Sequence, residues 1–158
     1  MKKIIVLLLV ILAVIGGFFL YFLGKNPIVP NENIQPPAGI PDLISIESPV
    51  PESRITSPLE IKGVARGPWY FEASFPVFLT DWDGKIIAQG IATAQVDPAD
   101  GGAGWMTVDF VPFTATLNFE NPSWDADFSK RGTLIFQKDN PSGLPEHDNA
   151  YEMTVWFE

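Results

Sequence analysis

The sequence contains no cysteine. That absence excludes disulfides, thiolate metal sites, a cysteine nucleophile and a lipid-modified cysteine anchor. Basic residues are also scarce once the first 25 positions are passed. The remaining 133 residues hold all 19 acids against 7 Lys and Arg, a formal charge of −12. A surface so acidic argues against nucleic acid, whose phosphates need a basic footprint. It equally argues against a second, electrostatic grip on anionic lipid. No Gly-x-Ser-x-Gly elbow and no His-Glu-x-x-His motif occurs, and nothing specifies a cofactor. No stretch beyond residue 25 keeps an apolar spacing of 3.6.

Charge is missing altogether from residues 4–23, and Lys2 and Lys3 precede that run. At about 1.5 Å of rise per residue, such a run as a helix crosses a hydrocarbon core of roughly 30 Å. A cleaved signal peptide has a shorter apolar core followed by small residues. Here the run continues through Gly16 and Gly17 into Phe18, Phe19, Leu20, Tyr21, Phe22 and Leu23. A pilin stem would add an early glutamate, which is lacking. Residues 1–25 therefore predict an uncleaved membrane anchor whose partner is the lipid bilayer. Its lysines favour a cytoplasmic amino terminus and an extracytoplasmic remainder.

Residues 26–43 read as a linker, with Pro27, Pro30, Pro36, Pro37 and Pro41. Proline fixes φ and removes a donor, so such a stretch is extended and semi-rigid. From residue 44 the pattern has period two. Leu59, Ile61 and Val64 suggest one strand. Phe71, Ala73, Phe75, Val77 and Leu79 alternate with Tyr70, Glu72, Ser74 and Thr80 in a second. Asp83-Gly84 supplies a hairpin turn before a strand over residues 85–94. Residues 97–102 are a loop by composition, and residues 105–110 read as a strand. Pro112 predicts a bend, bulge or edge position. Phe113, Ala115, Leu117 and Phe119 line another strand, a short helical turn fits residues 118–129, and residues 133–137 and 151–157 complete the set. Seven to eight short strands predict an all-β, antiparallel β-sandwich over residues 44–158, with a barrel as the alternative.

This series resembles the immunoglobulin-like domain of bacterial spore germination. The resemblance rests on Ile55-Thr56-Ser57-Pro58-Leu59, Gly63-Val64-Ala65, the segment from Trp69 through Val77, and Asp83-Gly84-Lys85. It continues through Trp105, Phe113, Ala115, Leu117, Phe119, Gly132-Thr133-Leu134 and Val155-Trp156-Phe157. It implies an immunoglobulin-like sandwich, no catalysis, and a structural or adhesive role.

Few side chains invite chemistry. Asp81-x-Asp83-Gly84 resembles the start of a calcium loop, but the later carboxylate is absent and the turn reading is better. His147, beside Asp148 and near Ser142, reads as a solvated loop histidine, because a triad is built by geometry and not by neighbours in sequence. Glu72 reads as a sheet-face acid, or as a buried partner of Arg66. Trp69 and Trp105 read as core anchors. Trp82, Trp124 and Trp156 are the candidate binding surface, since exposed aromatics stack on sugars or anchor protein partners. The expectation is a non-catalytic, membrane-anchored, extracytoplasmic module of the cell envelope that contacts an envelope protein or a wall glycan. The carbohydrate-binding module is the alternative.

Overall fold

The computed structural model describes residues 38–40, 42–122 and 127–158. The predicted anchor and most of the predicted linker lie outside the described residues. Among those described, no helix is long and apolar enough to cross a membrane. Nine strands form: β1 (Ala38–Ile40), β2 (Ile44–Ser48), β3 (Arg54–Ile55), β4 (Leu59–Arg66), β5 (Ser74–Thr80), β6 (Ile86–Ala94), β7 (Phe110–Leu117), β8 (Arg131–Gln137) and β9 (Ala150–Phe157). They join in one continuous curled sheet, in the order β1-β2-β4-β7-β6-β5-β8-β9-β3.

The curl makes two facing layers. β1, β2, β4 and β7 form one; β5, β8, β9 and β3 form the other. β6 belongs to the second along most of its length. It reaches the first only through Thr93↔Thr114 and Ala94↔Phe113. β3 runs parallel to β9 while every other pairing is antiparallel. The chain thus leaves the first layer after β2 and crosses to the other at β3. The sequence predicts seven to eight strands over residues 44–158; among the described residues eight lie there, β2 to β9, and β1 precedes them. The two-residue β3 is too short to show alternation, and β1 falls inside the proline-rich stretch.

Alternation drives the assembly. Leu59, Ile61 and Ala65 of β4, Phe75, Val77 and Leu79 of β5, and Met153, Val155 and Phe157 of β9 are all buried. Their rings and branches meet between the layers. Phe75 packs edge-on against Phe113 at 4.9 Å and against Tyr70 at 5.2 Å, and Phe113 approaches Phe136 at 6.4 Å. Such contacts add about 0.5–1.5 kcal/mol per pair beyond area burial. Tyr70 donates its hydroxyl to the Val111 carbonyl at 2.7 Å, and Arg66 lies over the Phe110 ring at 4.2 Å.

Two predicted strands are corrected. The strand beginning at Tyr70 starts only at Ser74. Phe71 and Ser74 exchange backbone bonds of 2.9 and 3.1 Å around Glu72 and Ala73, whose φ values are 50° and 61°. That is a tight turn with two left-handed residues, a geometry usually given to Asn-Gly. Glu72 is therefore an exposed turn residue, neither on a sheet face nor paired with Arg66. Residues 105–109 form turns rather than a strand, tied by Met106 N to Ala103 O and by Asp109 N to Thr107 Oγ1. Pro112 sits in an unbroken β4–β7 ladder opposite Val64. Its carbonyl accepts from Gln95 on the β6 side. A residue's N and C=O point the same way in a strand, so the missing donor faces the side that β6 covers only in part.

Candidate functional site

One end of the second layer gathers side chains from five separate places. Trp82 stands on the β5–β6 turn. Asp81 Oδ1 accepts from Asp83 N at 3.0 Å and from Lys85 N at 2.9 Å, and Gly84 takes φ 83°. Asp81 is thus occupied in fixing the turn that presents Trp82. Phe128 lies in a 3-10 turn (Asp127–Lys130) that leads into β8. Arg131 opens β8, and Trp156 faces it from β9. Glu52 comes from the β2–β3 turn at φ 61°.

These five residues line a groove of about 360 Å³. Trp82 and Phe128 meet edge to face at 5.2 Å and 87°, yet stay 52% and 61% exposed. Trp156 alternates away from buried Val155 and Phe157 and donates its Nε1 to Glu52 Oε2 at 2.7 Å. Arg131 reaches Thr154 Oγ1 at 3.4 Å through Nη2, the one side-chain bond it makes among the described residues. The groove offers aromatic faces for stacking, a carboxylate acceptor and guanidinium donors. It offers no nucleophile with an adjacent base.

Of the predicted surface, Trp82 and Trp156 come together here, and Trp124 lies outside the described residues. Sequence reasoning missed Glu52, Phe128 and Arg131. Only the Asp125-Ala126-Asp127-Phe128 helical-turn pattern gave a hint of one of them. Trp69 is buried and Trp105 is partly buried against the core.

The other candidates separate. His147 is exposed in the 3-10 turn Pro145–His147, and its backbone carbonyl accepts from Lys138 Nζ. Asp148 accepts from Asn140 at 2.7 Å, and the Ser142 hydroxyl also turns to Asn140. Among the described residues, no hydrogen bond joins either of them to the His147 ring. Among the described residues no three acids or histidines converge on a metal position. A larger hollow of about 810 Å³ flanks the other side of the β5–β6 turn. It is wide and open and holds the charges of Asp81, Lys85 and Glu120, but its one ring, Phe119, is nearly buried and offers no stacking face.

The class follows from sheet and sequence together. Residues 43–143 match the family described as the immunoglobulin-like domain of bacterial spore germination. The match covers well over half of the chain, and the chain belongs to that family. No curated protein matches it, and neither does a solved structure.

Proposed function

We propose that this protein is a non-catalytic binding module of the bacterial cell envelope, and that the Trp82–Phe128–Trp156 groove is its contact site. The single observation that carries this reading is the pair of half-exposed rings, Trp82 and Phe128, beside the tethered Trp156. Large aromatics left in water at the end of a rigid sheet resemble interface anchors more than core residues. Membership in an immunoglobulin-like germination family supports a non-catalytic role. In this reading the uncharged run over residues 4–23 holds the chain in the cell membrane, with the domain on the extracytoplasmic side.

The test is site-specific photo-crosslinking in intact cells, with the probe at position 82 or at Lys62 on the opposite layer. Adducts from position 82 alone are expected. Equal yields from both positions would remove the groove from the mechanism. Protease accessibility of the carboxyl terminus in intact cells checks the orientation.

A carbohydrate ligand is the second reading. Aromatic faces lie beside the Glu52 carboxylate and the Arg131 fork, a combination that suits stacking on a sugar ring with hydrogen bonds to its hydroxyls. Titration of the full chain with soluble wall-glycan fragments should then shift tryptophan emission, and Trp82→Ala should remove most of the response. An unchanged spectrum at millimolar glycan rules this ligand out.

A further inference from the structure

A second cavity lies at the other end of β8 from the groove. Arg131 of the groove opens that strand, and Lys138 of the cavity follows its last residue. At about 3.4 Å per residue, the strand sets the two roughly 24 Å apart. The cavity holds about 310 Å³, the lower end of small-molecule sites. Leu43, Pro68, Trp69 and Val108 give it apolar walls. Arg66, the last residue of β4, and Lys138 also line it, and both are half-buried. Neutral oxygens hold the two cations. Arg66 donates Nε to the Asp42 carbonyl and Nη1 to the Val108 carbonyl, each at 3.0 Å. Lys138 donates Nζ to the His147 carbonyl at 2.9 Å. Neither forms an ion pair among the described residues, although acids outnumber Lys and Arg 19 to 10. Asp42 lines the cavity too, yet its carboxylate stays beyond the 4.0 Å reach of an ion pair. Trp69 is 2% exposed, and its indole N–H has no acceptor among the described residues.

We infer that this cavity binds a small monocarboxylate with an apolar body, its head held by Arg66 and Lys138 and its tail against the Trp69 wall. Carbonyls orient the two cations and leave their charge uncancelled. A carboxylate supplies the opposite charge through charge-assisted bonds, and Arg66 still has Nη2 to give. Among the lining residues two cations stand against one acid, Asp42. The apolar walls favour a ligand with a hydrocarbon tail over a hydrated inorganic anion. A formal charge of −12 opposes a multiply charged ligand most, which selects a monoanion. Screening over about 8 Å at physiological salt confines that repulsion to near neighbours.

The 5 tryptophans allow the site to be located as well as detected. The full chain in detergent is labelled with fluorotryptophan, and single tryptophan-to-phenylalanine variants assign the fluorine NMR signals. Isocaproate should move the Trp69 signal with half-saturation on the order of 1 mM, and leave those of Trp82 and Trp156 in place. Isocaproamide, which has the same shape without the charge, and inorganic phosphate should leave all three in place. Lys138→Gln should raise the half-saturation about fivefold by removing one charge-assisted partner. Val108 is 75% exposed, so Val108→Phe narrows the cavity from a surface turn, keeps both cations and should also weaken binding. The inference fails if the Trp69 signal stays in place, if the amide moves it as the acid does, or if neither variant weakens binding. Movement of the Trp82 or Trp156 signal alone would overturn it by assigning the acid to the groove.

Discussion

Tyr70 shows how one side chain ties a local choice to the whole fold. Burial pushes its phenol well above the ordinary value of 10.0, although a backbone hydrogen bond from Ala65 opposes the shift. The folded state therefore keeps the proton to higher pH than the unfolded chain does. This contribution to stability is complete below about pH 10 and is lost as pH rises towards the folded pKa. Urea melts should hold steady from neutral pH to about 9 and weaken above it. Tyr70→Phe should flatten that alkaline loss and cost about 1–2 kcal/mol at pH 7, since the Val111 carbonyl loses a donor. Ala73 is the converse case, a side chain that fits its backbone poorly. A left-handed L-residue costs about 1–2 kcal/mol, and glycine gives back about 0.5–1 through unfolded-chain entropy. Ala73→Gly should raise stability by about 0.5–1 kcal/mol, read as a higher urea midpoint with unchanged slope. Neither residue announces its environment in sequence. Tyr70 looked like part of a strand, and Glu72-Ala73 has no turn chemistry. The bonds that bend the chain there join Phe71 to Ser74 and Ala73 to Ala94.

Strands were legible wherever one face is buried and the other is wet. β4, β6, β8 and β9 lie close to where alternation puts them, because side-chain period two is set by the backbone itself. The β5–β6 hairpin was also legible, since Gly84 at φ 83° needs no distant partner. Residues 105–109 misled because their alternation is accidental and local turn bonds win. Close packing between elements was invisible. A Cβ on Gly132 would stand 2.7 Å from both the Thr80 carbonyl and the Phe157 ring, where β8 passes β5 and β9. Gly132→Ala should cost about 1–3 kcal/mol, seen as a lower denaturation midpoint. Asp81→Ala should cost about 0.5–1.5 kcal/mol by removing the acceptor that holds the Asp83 and Lys85 amides, and should blur the Trp82 environment in near-UV circular dichroism.

Across the molecule, charge works against compactness. Between described residues a single ion pair forms, Lys130 with Asp127 at 3.2 Å, and its aspartate is almost fully exposed. Such a pair contributes little against a formal charge of −12. Added salt should therefore raise the melting temperature between about 20 and 300 mM, and a fall would show that attractive pairs dominate. The sequence by itself determined the all-β class, the inside and outside of most strands, the acidity and the resemblance to the germination family. These follow from composition and from periodicities the backbone imposes locally. Only the tertiary structure decided that β3 crosses to pair with β9, that Glu52, Trp82, Phe128, Arg131 and Trp156 share a groove, and that Arg66, Trp69 and Lys138 line one cavity. The reason is physical. Strand order and loop convergence arise from pairing between residues tens of positions apart, and no local pattern encodes which distant backbone will satisfy a given edge.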